Sequence, residues 1–376
     1  GGDPQPMVGP AVVEFEVAAP DEEWCYRDTS FSAAGQAAYR GDNPDRACTM
    51  RTCFDLKRCK LRAPSGNKSS PLGLFVGVET PKGEDMVRLP GCIRQTQRTA
   101  VVDTSDEACV VLPTVNINCQ WDQCDPATHS LLRALPSWGT GANHIIWDYN
   151  DAANVKYRAD RALFMKTSMN IDHYRSGFDI PFPLLPNGVA THVTPKELQA
   201  AEGRRHILLS FKGVCQSASL RNQLAALHNG KDVIAVCSNN PRAVQYDYKT
   251  LMLSSVFSAA PAGNGLHSYR LAEAIFLGAI PVIVDDKLIL PFCSVLDWRE
   301  FSVRVASSQV SRLPSILREI DPARIARMQR RLAEVKRRYF LSPFTTAMSL
   351  LRLRVQTLLG PPPAEDRNAT TRPPKR

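Results

Sequence analysis

A chain of 376 residues with 44% hydrophobic and 22% charged side chains can fill more than one ordinary core, which favours two domains and excludes wholesale disorder. Its net charge of +9 is lopsided: residues 299–376 carry 17 Lys+Arg against 6 Asp+Glu, while the first 298 carry 29 against 31. A basic end favours polyanionic partners or forms a solvated cationic helix face, and no stretch offers the roughly 20 unbroken apolar residues of a membrane helix.

Residues 1–45 are rich in Pro, Gly and Asp, lack periodicity and read as a flexible segment, as does the Pro-rich polar tail 361–376. The opening Gly1-Gly2-Asp3-Pro4 has no basic-then-apolar signal pattern, and a start without Met reads as an excised fragment, with an anchor or a signal to be expected upstream. Of eleven cysteines, eight precede residue 125, which reads as disulfides made in an oxidising compartment. Zinc is the weaker reading: Cys48/Cys53 and Cys119/Cys124 each enclose four residues, but no histidines follow at finger spacing. The odd count leaves a thiol free or paired outside the chain. Sequons at Asn67 and Asn368 fit a secretory address.

Buried-strand runs are expected at 72–79, 108–117 and 143–147, and a helix at 157–168. The Pro-rich stretch 181–186 and the polar stretch 194–203 put a domain boundary near 185–203. Beyond it, strands at 206–211, 232–237, 256–260 and 280–284 alternate with helices at 219–228, 248–254 and 268–277. Such alternation over short connections marks a doubly wound parallel sheet. Ile325, Met328, Leu332, Val335 and Tyr339 then recur at three- and four-residue steps along one helix, and Pro343 breaks the run before a last helix at 345–359.

Segment 260–284 (APAGNGLHSYRLAEAIFLGAIPVIV) carries the most chemistry. A strand ends, a loop with Gly263 and Gly265 turns, and a helix starts near Ser268, aiming free backbone N–H groups at the carboxyl edge of the sheet. Ser268 stands where a dinucleotide fingerprint needs its third glycine, and no phosphate-loop lysine follows, so neither motif applies. Arg270 suits a diphosphate and Glu273 suits ribose hydroxyls, or the two form an i,i+3 bridge. Lys212-Gly213, in a loop after the first strand of this half, and Arg221, on the next helix, bring two further cations to the same edge or are plain surface cations.

Asp285-Asp286 read as loop caps ahead of metal ligands. There is no D-x-D triplet and no H-E-x-x-H, so no metal is expected, and a leaving diphosphate would be neutralised by Arg, Lys and helix ends. The absence of G-x-S-x-G counts against acyl-transfer hydrolases. For a general base the sequence offers Asn143-His144 at a strand end, with Asp148 and Asp151 in the following loop, facing a cleft or serving structure.

In this order the residues resemble the exostosin family, in its first catalytic domain, glycosyltransferase family 47. The likeness is carried by CTMRTCFDLKRC from Cys48 to Cys59, GANH at 141–144, DRA at 160–162, FDIP at 178–181, LHNG at 227–230, SYRLAEA at 268–274, PVI at 281–283, LPF at 290–292 and VLDW at 295–298. It covers about 46–355 and is most specific over 248–303.

The resemblance implies a GT-B fold, an α/β architecture of two Rossmann-like lobes with a cleft between them and a C-terminal helix crossing back. It divides the chain into an acceptor-side lobe with a disulfide-rich start at 46–190, a nucleotide-sugar-binding lobe at 204–340 and a crossing helix at 341–360. It implies an inverting, metal-independent glycosyltransferase that moves a sugar from a UDP-sugar to a glycan or glycoprotein, with no cofactor beyond the donor substrate. Donor binding would fall to Arg221, Ser268, Arg270, Glu273, Lys212 and Gly265, and Asp148 or Asp151 would be the base. In the exostosin branch this domain is associated with glucuronic acid transfer in heparan sulfate synthesis; relatives use galactose, arabinose, xylose or glucuronic acid, so the sugar stays open. The family implies the Golgi or endoplasmic reticulum lumen, a type II anchor in the full-length protein and a related exostosin-type subunit as partner. No second transferase module follows residue 360, so a bifunctional polymerase is not implied. Nucleic acid is not an expected partner, because no aromatic residues interleave the basic ones. The rival from another class is a non-catalytic glycan-binding or partner subunit that keeps the fold.

Overall fold

The computed structural model describes residues 48–59, 76–79, 108–115, 127–150, 159–186, 188, 192–215, 220–263 and 265–359. In the first half, β1 (Val76–Glu79) pairs with β2 (Val110–Pro113), and β3 (Ile145–Asp148), β4 (Leu163–Lys166) and β5 (Ile180–Pro181) form a second sheet. A single parallel bridge from Val111 to His144 joins the two, and all these pairings are parallel. Runs such as VVLP and IIWD are largely apolar because a parallel sheet is covered on both faces.

The helix expected at 157–168 is instead β4. A short apolar run cannot be assigned by periodicity alone, and the decisive partner lies elsewhere: Lys166 closes β4 opposite Asp148 of β3, and the two buried charges pair at 3.1 Å. The Cys48–Cys53 disulfide closes a loop around α1 (Met50–Cys53), and Cys59–Cys109 fastens the turn after it to the start of β2. Asn143, at φ 62°, completes that join by donating its amide to the Asp55 and Cys109 carbonyls and accepting from the Asp55 N–H. A short helix α2 (Ala127–Arg133) packs Leu132 beside Trp138 and Ile146.

After α3 (Pro195–Ala201) come β6 (Ile207–Gly213), α4 (Leu220–Ala225), β7 (Val233–Cys237), α5 (Tyr248–Leu253), β8 (Ser255–Pro261), α6 (Tyr269–Leu277), β9 (Ile280–Val284) and β10 (Val303–Val305). The α3 helix sits in the polar stretch read as boundary, where Thr194 and Glu197 form a capping box. All five strands are parallel in the order β10-β9-β8-β6-β7. The order in which strands are added therefore reverses between β6 and β8, and such a switch point opens a crevice beyond the carboxyl ends of the two strands. A third disulfide, Cys215–Cys237, lies at that edge, and Cys293 is also disulfide-bonded.

The C-terminal part holds α7 (Leu313–Arg318), α8 (Pro322–Val335), a π-turn over Lys336–Phe340, and α9 (Pro343–Leu359). The α8 helix buries Met328, Leu332 and Val335 on one face, as its periodicity requires. The halves share a core in which Met165, Phe178, Phe182, Phe292, Phe340 and Leu350 belong to one cluster. Backbone hydrogen bonds from Ile171 to Lys287, from Ile289 to Met169 and from Phe292 to Pro181 stitch them together. From α9, Arg354 reaches back to the Phe178 and Asp179 carbonyls at 2.9 and 3.2 Å. The architecture is α/β with parallel sheets; among the described residues no helix is long and apolar enough to cross a membrane.

Candidate functional site

Two arginines converge where β6 and β8 part. Arg221, from the first turn of α4, donates Nε–H to the Ala262 carbonyl at 3.1 Å and Nη1–H to the Val214 carbonyl at 2.9 Å, so it spans the loops that follow both strands. Arg270, from the first turn of α6, donates Nε–H to the Lys212 carbonyl at 2.9 Å and Nη1–H to the Ser268 hydroxyl at 3.1 Å. Its guanidinium also lies 5.2 Å from the Phe211 ring centroid, a cation–π contact.

Among the described residues no carboxylate pairs with either guanidinium. Burial, and then repulsion from Arg270, lowers the Arg221 pKa from its ordinary value. The N-terminus of α6 adds its positive dipole end at the same edge. The whole edge favours an anion with several oxygens.

Two glycines make the arrangement possible. A Cβ on Gly213 would stand 2.6 Å from Arg270 Cζ, and one on Gly263 would stand 2.6 Å from Arg221 Nη2. Gly265 closes the turn after β8, its carbonyl accepting from the Gly263 N–H at 2.8 Å.

Several expected residues take unexpected partners. Among the described residues Arg270 and Glu273 form no i,i+3 bridge: Arg270 turns to Lys212 and Ser268, and buried Glu273 accepts from the Tyr248 hydroxyl. Burial and the charge of Glu273 raise the Tyr248 pKa, so the phenol stays a donor. Lys212 sits inside β6 and offers the site its carbonyl; its ammonium binds the Tyr246 carbonyl at 2.6 Å. Asp285 and Asp286 do cap loops, accepting from the N–H groups of Lys287, Leu288 and Ser307.

Of the proposed base group, His144 and Asp148 are buried and already partnered. Asp148 is 3% exposed, ion-paired with Lys166, and accepts from the Asn150 N–H at 3.0 Å. His144 is buried against Trp138, bonded to Ser137 Oγ and the Ala142 carbonyl, and desolvation lowers its pKa to about 4. Asp151 lies outside the described residues.

Tyr248, Phe211 and Gly213 gain their roles from packing between elements, which no local motif announces. Nor does any local motif announce His267. It is buried directly before Ser268, donates its backbone N–H to Ser168 Oγ at 3.0 Å, and among the described residues has no partner for either ring nitrogen. Burial lowers its pKa to about 3.

Comparison with known proteins finds that the exostosin GT47 domain matches residues 92–320. Exostosin-1 of Drosophila melanogaster is 28% identical over 331 residues, covering 78% of this chain and 43% of that protein. Exostosin-2 of Bos taurus is 29% identical over 339 residues, 82% of this chain and 46% of its own length. The Exostosin-1 homolog of Caenorhabditis elegans is 22% identical over 355 residues, 82% of this chain and 89% of the relative. The chain therefore spans less than half the length of the first two.

Proposed function

The chain belongs to the exostosin GT47 family, and from that premise we propose a glycosyltransferase that moves a sugar from a UDP-sugar to a glycan or glycoprotein acceptor. One observation carries the reading: Arg221 and Arg270 meet at the carboxyl edge of a parallel sheet, at its switch point, with no carboxylate paired to either among the described residues. A nucleoside diphosphate supplies the charge this edge favours.

In this reading residues 204–340 form the donor lobe of a GT-B fold, 46–190 the acceptor lobe and 341–360 the crossing helix; the contacts of Arg354 with Phe178 and Asp179 support the last. Arg221, Arg270 and the Ser268 turn neutralise charge growing on the leaving diphosphate, which makes a metal unnecessary. Glu273, oriented by Tyr248, takes the ribose hydroxyls. The reaction inverts the sugar in one displacement: the acceptor oxygen bonds to the anomeric carbon as the diphosphate leaves, and a base takes the hydroxyl proton. Asp151 is the better base candidate, since Asp148 is committed to Lys166. A uronic acid donor suits the surplus of cations, with UDP-glucuronic acid first to try. The disulfides fit the Golgi or endoplasmic reticulum lumen, where a related exostosin-type subunit is a partner to seek.

The burial of His144 and Asp148 favours one rival, a partner subunit that binds donor without turnover. A panel of UDP-sugars with oligosaccharide acceptors, in EDTA, separates the two. We expect transfer by the wild type and at least a ~100-fold loss in Arg270→Ala with folding intact. UDP binding without transfer from any donor would favour the subunit reading, and transfer unchanged in Arg270→Ala would reject the assigned site.

A further inference from the structure

We infer that segment 212–215 sets the spacing of the two arginines, and that Gly213 and the Cys215–Cys237 disulfide are positioning elements of the anion site. The inference rests on reading that site as the donor site. Within four residues the segment meets both guanidiniums: the Lys212 carbonyl accepts from Arg270 and the Val214 carbonyl from Arg221. Gly213, between them, leaves out the side chain that would push Arg270 off the strand end.

Two like charges on one segment are held against their repulsion, which adds to burial, the larger cause, in lowering the Arg221 pKa. Without a fixed template they would separate, and an anion would have to draw them together again at a cost in affinity. The template is fixed to β7, the edge strand. Gly213 stands opposite Cys237 in the β6–β7 register, and its carbonyl accepts from the Ser238 N–H at 2.8 Å. One residue past the accepting Val214 carbonyl, Cys215 is tied covalently to Cys237. The Asn239 side chain accepts from the Cys215 N–H and donates to the Cys215 carbonyl, both at 3.4 Å. A strand end that would fray in solvent is thus anchored just where the two arginines take their carbonyls.

The test is calorimetric titration of the whole chain in EDTA, with UDP and inorganic pyrophosphate as separate probes. In Gly213→Ala the new methyl meets the far end of a flexible side chain, so the fold tolerates it while the guanidinium is displaced. We expect affinity for both probes to fall about tenfold, and the same substitution in an Arg270→Ala background to change it less than about twofold. The pair Cys215→Ser with Cys237→Ser should weaken binding several-fold, and Asn239→Ala, which leaves the disulfide whole, should weaken it in the same direction.

Wild-type affinity in Gly213→Ala and in the cysteine pair would overturn the inference, as would a Gly213→Ala loss undiminished without Arg270. If the wild type binds pyrophosphate but not UDP, the nucleotide reading fails while the same comparison still decides the role of Gly213. If it binds neither, both readings fall.

Discussion

Buried histidines give this protein a pH dependence that can be read one side chain at a time. His267 and His144 titrate near 3 and near 4 in the fold, against 6.5 for an ordinary histidine, because burial penalises the charged ring. The unfolded chain therefore binds more protons than the native one below 6.5, so stability is complete above that value and lost as pH falls towards 4. Thermal melts from pH 7 to 4.5 should show a falling Tm, and His267→Leu should flatten the slope by removing on the order of 2–3 kcal/mol of proton-linked destabilisation. A wild-type Tm constant over that range would contradict the burial of both rings. That Arg221 and Arg270 lie at one sheet edge was legible in the sequence, because each opens a helix that follows a strand; their carbonyl partners were not. The fate of Asp148 was not, because its partner Lys166 lies eighteen residues on and reaches it through strand register.

At the scale of elements, α6 shows how local rules position chemistry. Ser268 is extended and begins the helix, Gly278 ends it at φ 75°, and Leu271, Ala272, Ala274, Ile275 and Leu277 bury one side. A Cβ on Gly278 would stand 2.8 Å from Arg205 Nη2, whose guanidinium ties the Met252, Ser255 and Leu277 carbonyls together. Gly278→Ala should thus cost about 1–3 kcal/mol in urea unfolding, from left-handed strain and a displaced arginine. A change under about 0.3 kcal/mol would mean the helix end relaxes freely. The strands and helices from Ile207 to Val284 were legible because apolar runs and caps alternate there without conflict. The β4 strand was not: four apolar or half-apolar residues, LFMK, fit either period, and only pairing with β3 and β5 decides.

For the molecule as a whole, the parallel sheets of the two halves share a core, and α9 returns from the end of the second half to the carbonyls beside β5. The cysteines read as disulfides before any pairing was known, and the described residues contain three complete bonds. The bond that joins β7 to the site edge was hidden, because the cysteine crowding lies in the first third while Cys215 and Cys237 meet through sheet order. Sheet order also brings together arginines 49 residues apart, since it sets the ends of β6 and β8 side by side, and we propose that edge as an anion site. The most direct measurement of that claim is a calorimetric titration of UDP into wild type and Arg270→Ala in EDTA. Saturable binding by the wild type, weakened at least about tenfold in the variant while its melting curve is kept, is the predicted result. Equal affinity in both proteins, or no heat of binding in the wild type, would contradict it.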